Sequence, residues 1–290
     1  MYHIEGAVMR ILISADIEGA SGVVSETETG CEGRGATQTS DYVLAQRALT
    51  GDINAAVEGA MEAGATSFVL HDSHGLDLRN VLLEELHPLV EVVRGRPVIF
   101  YEEADLARGY DGAFMIGMHA PAGEAAILSH ILDWPRLREV RLNGQPVGES
   151  EFTVALAGAY GIPTVLITGD DRVCTDIQRW SNGHIEAAVV KYSLSRYAAR
   201  CLSLVESRER IRVAATRAVE RLHAVQPMTF ASPVTLEVEL NDREIARAIS
   251  WMPGVGYDGD RTVRYSDSDF LHVYRCLLAM FWVATSSLNP

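Results

Sequence analysis

The chain has few basic residues and no long apolar run. Its 290 residues include 25 lysine and arginine residues against 39 aspartate and glutamate residues, and the formal net charge is −14. Binding to a phosphate backbone or an anionic membrane requires basic patches, so this charge argues against both kinds of partner. No apolar stretch approaches the roughly 20 residues that span a bilayer. We therefore expect no nucleic acid and no membrane among the partners of the protein.

Cysteine is also scarce, and its spacing argues against a disulfide framework. The chain has 4 cysteines, Cys31, Cys174, Cys201 and Cys276, and no C-x-x-C pair. Scattered cysteines of this kind are typical of reduced thiols. The N-terminus lacks the basic and apolar segments of a secretory signal peptide. Together these features predict a cytoplasmic protein.

Short β-branched runs alternate with longer windows of helical periodicity. The predicted strands are Arg10–Ala15, Ser67–Leu70, Val90–Val93, Ala113–Ile116, Thr164–Ile167, Ala187–Val190 and Val234–Leu240. Helices are predicted over 41–65, over 192–225 as one or two helices, and over 267–287 with an N-cap at Asp267 or Ser268. This alternation predicts an α/β fold, layered, with a mostly parallel sheet and helices on both faces.

The stretch "MRILISADIEGASGVV", residues 9–24, combines an apolar strand with two acids at its end, Asp16 and Glu18. Carboxylates in such a place are costly unless a cation neutralises them. Because the two acids are two residues apart, they project from the same face if the strand continues. The first strand therefore predicts a charged site at its carboxyl end.

The later strand ends carry further polar residues. They are His71, Asp72 and His74 after the second strand, His119 and then His130 after the fourth, Glu149 at a helix start, and Asp170 and Asp171 after the next strand. In parallel sheets ligands bind beyond the carboxyl ends of the strands, so these side chains are expected to meet. Imidazole favours zinc or another transition metal, and carboxylates can bridge two ions. A site that gathers two of these histidines and three carboxylates has more ligands than the four that one tetrahedral zinc takes. Such a set indicates two metals.

Each of these residues also has a plain structural interpretation. The D-x-E pair can form an N-cap, Asp72 can form an Asx-turn, and Glu149 is favoured by a helix dipole. For Asp170 and Asp171 a helix cap with a salt bridge is the stronger interpretation. What favours a site is that the charged residues fall at successive strand ends.

A pair of prolines, Pro227 and Pro233, indicates a junction in the chain. We expect a main α/β domain with the metal site over 1–226. A smaller C-terminal α/β portion is expected over 227–290, packed on the same unit.

Six motifs in order carry a family resemblance: "SADIEGASG", "HDSHG", "GMHA", "ILSH", "NGQPVGE" and "TGDDR". From about Met9 almost to its C-terminus the chain resembles the DppA-type zinc-dependent D-aminopeptidases. The resemblance implies a two-zinc peptidase that removes N-terminal D-amino acids from short peptides, built as pentameric rings stacked into a homodecamer. It implies the metal ligands Asp16, Glu18, His74, His119 and Glu149, with Asp16 bridging, and it places the catalytic residue at His130.

The resemblance and the residues together predict metal-assisted amide hydrolysis. His130 is assigned to general acid/base work or oxyanion stabilisation, because the pKa of imidazole suits proton transfer near neutrality. The role of nucleophile is the weaker alternative beside a metal-activated water. The preferred side chain, the D- versus L-selectivity and the native metal stay open.

Two other functions are compatible with parts of the pattern. The D-x-E pair is similar to the start of magnesium-dependent phosphatases of the haloacid-dehalogenase type, but that function leaves His74 and His119 without a role. A non-catalytic metal-binding assembly protein is the second alternative, and a single fully coordinated ion would support it.

Overall fold

A computed structural model describes residues 8–30, 39–75, 78–95, 102–132 and 135–286. The strands within these ranges are β1 (Arg10–Ala15), β2 (Ser67–Asp72), β3 (Val90–Val93), β4 (Gly112–Met118), β5 (Leu137–Leu142), β6 (Gln145–Pro146), β7 (Thr164–Asp170), β8 (Glu186–Ser195), β9 (Ala198–Cys201), β10 (Val234–Leu240), β11 (Gly256–Tyr257) and β12 (Thr262–Asp267). The helices are α1 (Ser40–Glu62), α2 (Glu102–Leu106), α3 (Glu149–Ala159), α4 (Asp171–Trp180), α5 (Leu204–Glu220), α6 (Arg243–Ile249) and α7 (Phe270–Ser286).

The main sheet has seven strands in the order β3-β2-β1-β4-β7-β8-β9. Its strands pair in parallel as far as β8, and β9 adds an antiparallel edge. β1 lies inside the sheet, and every residue of it after Arg10 is buried. The predicted fold class, an α/β protein with a mostly parallel sheet, is confirmed.

Two apolar cores cover the two faces of this sheet. Because side chains alternate along a strand, Ile11 and Ile13 of β1 pack in the core with α1 and α5, and Leu12 packs in the other core. That second core also contains residues of α3, α4, α6, α7 and the second sheet. Helices therefore lie on both faces, as the alternating pattern predicts.

A second sheet of five strands, in the order β11-β12-β10-β5-β6, is antiparallel. Its strands β10 to β12 come from the C-terminal part of the chain, and β10 pairs with β5 from the middle of the chain. Backbone hydrogen bonds thus join β10 to β5, and a separate C-terminal portion packed on the same unit stays a prediction. The boundary between residues 226 and 227 stays a prediction.

The helix predicted over 192–225 is wrong in its first part. Tyr192 belongs to β8, which turns back as β9, and α5 begins only at Leu204 after the N-cap Ser203. Strand pairing overrides the local helical periodicity here, and Arg200 of β9 lies over the ring of Tyr192 at 4.5 Å. The last helix begins at Phe270, and the N–H of Leu271 donates to Asp269, next to the predicted cap near Asp267 or Ser268.

The described part of the chain contains no helix that combines the length and apolar character needed to cross a membrane. Cys174, Cys201 and Cys276 are free thiols, and Cys31 lies outside the described residues.

The packing of α1 against α5 generates a test of the fold. A Cβ at Gly59 would overlap the backbone carbonyl oxygen of Arg212 on α5, whereas a Cβ at Gly51 would meet only the guanidinium end of Arg208. We expect Gly59→Ala to lower the free energy of unfolding by about 1 to 3 kcal/mol, because two backbones must separate. Gly51→Ala is the matched control, since Arg208 can swing away and alanine favours the helix by about 1 kcal/mol. Denaturant unfolding measures both, and equal effects of the two substitutions would contradict the packing.

Candidate metal centre

The carboxyl ends of three neighbouring strands meet at one edge of the main sheet. The register places Ala15, the last residue of β1, beside Asp72 of β2 and Ile116 of β4. The predicted site residues lie together at this edge, although they are far apart in the sequence. They are Asp16, Glu18, His74, His119, His130 and Glu149. Their individual roles stay predictions.

The first of two triads at this edge consists of Asp16, Glu18 and His74, whose ligand atoms all lie within 4.8 Å of one another. His74 Nδ1 is 3.0 Å from Asp16 Oδ1 and 2.9 Å from Glu18 Oε2. His74 Nε2 donates to the carbonyl oxygen of Thr29 at 2.9 Å. A carbonyl oxygen only accepts, so in a neutral His74 the proton is on Nε2 and Nδ1 presents its lone pair to the two carboxylates.

The second triad consists of His119, His130 and Glu149, also with ligand atoms within 4.8 Å. The two imidazole rings are stacked, with centroids 4.2 Å apart. Each ring donates from Nδ1 to a backbone carbonyl, His119 to Ala120 at 2.9 Å and His130 to Leu128 at 2.8 Å. Both Nε2 atoms therefore face Glu149 Oε1, at 3.4 Å from His119 and 3.8 Å from His130.

Asp16 connects the two triads. Its Oδ1 faces His74, and its Oδ2 lies 3.5 Å from His119 Nε2. Burial alone would raise the pKa of Asp16, but the hydrogen bond to His74 and the charges of the two histidines hold it well below its usual range. Burial likewise opposes the charged form of His119, yet Glu149, Asp16 and Glu18 raise its pKa to about 10. The cluster therefore attracts positive charge strongly.

Two buried atoms test whether this cluster fits a metal. Glu18 Oε2 and His119 Nε2 have no hydrogen-bond partner among the described residues. Buried polar atoms without a partner are costly, and both belong to groups that ligate metals. Metal-ligating histidines usually donate their other N–H to a carbonyl or carboxylate, as all three histidines do here. The mixed nitrogen and oxygen donors suit a divalent transition metal such as zinc, so the residues present fit such an ion.

The loop that carries His74 is held by a buried carboxylate. Asp72 accepts hydrogen bonds from the backbone N–H of Asn80 at 2.6 Å and from its side-chain amide. The Asn80 amide also donates to the carbonyl of His74 at 2.7 Å, and Tyr42 donates to Asn80 Oδ1 at 2.8 Å. Burial raises the pKa of Asp72 despite these donors. Asp72 thus orients the histidine loop and is not part of either triad.

The segment around His130 is strained and firmly attached. Leu128 and Leu132 have positive φ angles of 47° and 46°, which leucine rarely adopts. The N–H of Leu128 donates to the carbonyl of Arg196, and the N–H of Leu132 donates to Glu149 Oε1, both at 2.8 Å. These contacts keep His130 beside Glu149 without a regular element.

Besides Asp72, three polar residues of the strand ends lie outside the triads. His71 forms a 2.7 Å ion pair with Asp105. Asp170 caps α4 by accepting from the N–H groups of Arg172 and Val173, as the structural interpretation predicts. Asp171 accepts from the N–H of Ser193 at 2.7 Å.

Sequence reasoning missed three residues that support the site: Asn80, Asp52 and Lys191. Asp52 is buried and accepts from both the N–H and the hydroxyl of Ser21, at 2.8 and 2.9 Å. Asn80 and Asp52 leave no pattern in the sequence. Lys191 has one signal, because it is the only lysine in the chain.

Comparison with protein families gives the identity of this arrangement. A family model described as D-aminopeptidase matches residues 9–279. The chain belongs to the D-aminopeptidase family. It is therefore a peptide hydrolase of the aminopeptidase type, and the family match does not favour the phosphatase or the non-catalytic alternative.

A related protein and a solved structure both agree with this family assignment. A D-aminopeptidase of Bacillus subtilis (strain 168) is 28% identical over 273 residues, which cover 94% of this chain and 96% of that protein. The solved structure of the Zn-dependent D-aminopeptidase DppA from Bacillus subtilis, a self-compartmentalizing protease, superposes with a TM-score of 0.87 at 27% identity. That match covers 97% of this chain and 100% of the solved chain.

The triad geometry predicts that a divalent metal stabilises the aminopeptidase through Glu149. At 100 times its dissociation constant, a metal that binds only the folded state adds about 2.7 kcal/mol per site. We expect zinc to raise the melting temperature of the metal-free protein, and Glu149→Gln to reduce that rise, because the second triad loses its carboxylate. Glu151→Gln is the control on the same helix, since Glu151 accepts from the N–H of Gly148 and lies outside the triads. An equal rise in melting temperature with zinc in both variants would contradict the role of Glu149 as a metal ligand.

Proposed function

We propose that the aminopeptidase holds two zinc ions through Asp16, Glu18, His74, His119 and Glu149, with His130 left free for catalysis, and removes N-terminal residues of D-configuration from short peptides. The observation that carries the proposal is Asp16, whose two oxygens face different triads, at 3.0 Å from His74 and 3.5 Å from His119. A carboxylate in this position can bridge two ions. The Zn-dependent DppA, with a TM-score of 0.87, supports both the metal and the substrate class.

The zinc ions, when bound, would lower the pKa of a shared water toward ~7 and polarise the scissile carbonyl. His130 is the group of the chain that would move the proton. Its Nδ1 is committed to the carbonyl of Leu128, so only Nε2 can exchange a proton with water or substrate. As general base and then general acid, His130 Nε2 takes a proton from the attacking water and delivers it to the leaving amine.

A free N-terminal amine needs an acceptor near the metals. Among the three carboxylates, the side chain of Glu149 is 23% exposed, whereas those of Asp16 and Glu18 are 6% exposed. Glu149 is therefore the carboxylate that a substrate ammonium can reach. This contact would favour cleavage at the first peptide bond over cleavage inside a longer chain.

A cavity of about 510 Å³ beside His130 offers room for the leaving part of the peptide. Its lining includes three arginines, Arg138, Arg141 and Arg196, against two glutamates, Glu139 and Glu239. Each arginine also pairs with a glutamate, Arg138 with Glu239, Arg141 with Glu139 and Arg196 with Glu26, so a substrate carboxylate would compete with these partners. The leaving part of a dipeptide ends in a carboxylate, which the arginines would attract.

The assembly of the aminopeptidase is part of the proposal. Because DppA is a self-compartmentalizing protease, we infer that this chain also forms a homo-oligomer, with the expected decamer of two pentameric rings. Large apolar side chains exposed on the single chain, such as Val205 at 81% and Trp251 at 77%, are candidates for burial between subunits. The predicted cytoplasmic location stays a prediction.

The reaction class and the role of His130 are tested together. On D- and L-aminoacyl amides, chelation is expected to abolish turnover, zinc to restore it, and the D-substrates to be preferred. His130→Ala should lower kcat by about 10²- to 10⁴-fold, the usual contribution of a general acid/base, while keeping two zinc ions per chain. His272→Ala, on the half-exposed His272 of α7, is the control and should keep full activity. Full activity of a zinc-loaded His130→Ala enzyme would refute its role.

The arginine cavity predicts a preference for substrates with a free carboxylate. Arg141→Gln should lower kcat/KM for a D,D-dipeptide about 10-fold, because a charge-assisted hydrogen bond to its carboxylate is lost. It should not change kcat/KM for the same dipeptide with a C-terminal amide. Arg264→Gln is the matched control: Arg264 pairs with Glu237 on the second sheet as Arg141 pairs with Glu139, but it does not line the cavity. Equal decreases in kcat/KM for the dipeptide and for its C-terminal amide would show that the cavity does not bind the substrate carboxylate.

A further inference from the structure

Lys191 is the only lysine among the 25 lysine and arginine residues of the chain, and it is fully buried in β8, with 0% exposure. Lysine is almost never fully buried unless it is paired, because its ammonium loses the hydration of three N–H donors. A buried lysine in a chain that otherwise uses arginine indicates a position that requires an ammonium group.

The ammonium of Lys191 has three partners for its three donors. Nζ donates to the backbone carbonyl oxygens of Glu18 at 2.5 Å, Ala20 at 2.9 Å and Val23 at 2.6 Å. All three oxygens belong to the loop that follows β1 and carries the first two metal ligands. A planar guanidinium directs its five donors in a flat fork, so it cannot point three of them at one curved loop as a compact ammonium does.

The same loop is attached to the sheet on its other side. The N–H of Asp16 donates to the carbonyl of Ile116, and the N–H of Gly19 donates to that of Gly117, both at 2.8 Å. A Cβ at Gly19 would overlap the carbonyl oxygen of Met118, so only glycine permits this approach to β4. Glu18 thus lies between the attachment to β4 and the ammonium of Lys191.

We propose that Lys191 is a positioning residue of the metal centre, whose ammonium holds the loop after β1 so that Asp16 and Glu18 face His74. This inference rests on the proposed role of those two acids as metal ligands. Outer groups that orient ligands change metal affinity by about 10- to 100-fold, whereas a residue that only stabilises the fold does not change it selectively.

The test compares zinc affinity with stability. Lys191→Met keeps an unbranched side chain that is one atom shorter, and it removes the ammonium donor from three buried carbonyls. We expect its zinc affinity, measured by chelator competition, to fall at least about 10-fold, with faster amide hydrogen exchange in the loop. Lys191→Arg should also have reduced zinc affinity, because a guanidinium keeps the positive charge but not the three donor directions of the ammonium. Gly59→Ala is the control that lowers stability through α1 and α5 and should leave zinc affinity unchanged.

The outcomes separate this inference from the proposed function. If the wild-type protein binds no zinc, the proposed function fails. If the wild type binds zinc and Lys191→Met binds it equally well, or if Gly59→Ala weakens zinc binding in the same proportion to its loss of stability, only the positioning role fails.

A second measurement uses the wild-type chain, in case Lys191→Met does not fold. Lys191 carries the only side-chain amine of the chain. An amine-reactive acetylating reagent can modify it only when the loop opens, and peptide mass spectrometry measures the rate of this modification. We expect acetylation of Lys191 to be at least about 10-fold slower with zinc than after chelation, because affinity and loop opening are linked. Equal rates in the two states would overturn the coupling between Lys191 and the metal centre.

Discussion

Three carboxylates share one buried cluster, and their mutual repulsion is the constraint on which the rest of the site depends. Asp16 and Glu18 are buried, and Glu149 joins them through His119. Such a group is stable only with compensating positive charge. In the metal-free protein the proton held by His119 supplies part of that charge, as the pKa of His119 at about 10 indicates. A metal must displace that proton, so metal binding and proton release are coupled.

The backbone of the fold, rather than further side chains, orients most of the cluster. In each of His74, His119 and His130, one ring N–H donates a hydrogen bond to a backbone carbonyl. The other ring nitrogen is thereby directed at a carboxylate. The parallel sheet makes this possible, because strands β1, β2 and β4 end at one edge and their loops cross there. Two of these loops are then held in place by side chains, one by Asp72 at the end of β2 and one by Lys191, which is distant in the sequence.

Most of the strands that sequence reasoning found have a buried face, and β3 is the exception. The strands from Arg10–Ala15 to Val234–Leu240 were predictable, because continuous or alternating apolar runs report burial directly. β5, β9 and β12 were missed, since much of each strand is exposed and is held by pairing with a partner distant in sequence or across a tight turn. The same reason explains the error at Tyr192, where a helical pattern of side chains belongs to a strand edge.

The sequence by itself determined which chemical groups meet: two acids after β1, histidines after β2 and β4, and an acid at the start of α3. Their order along an alternating pattern suffices, because parallel strands must present their carboxyl ends on one side. Only the tertiary structure decided which ring nitrogen faces the cluster, that Asp16 turns one oxygen to each triad, and that Lys191 supports the loop. Those details depend on hydrogen bonds between residues as much as 173 positions apart, and a local pattern carries no record of such partners.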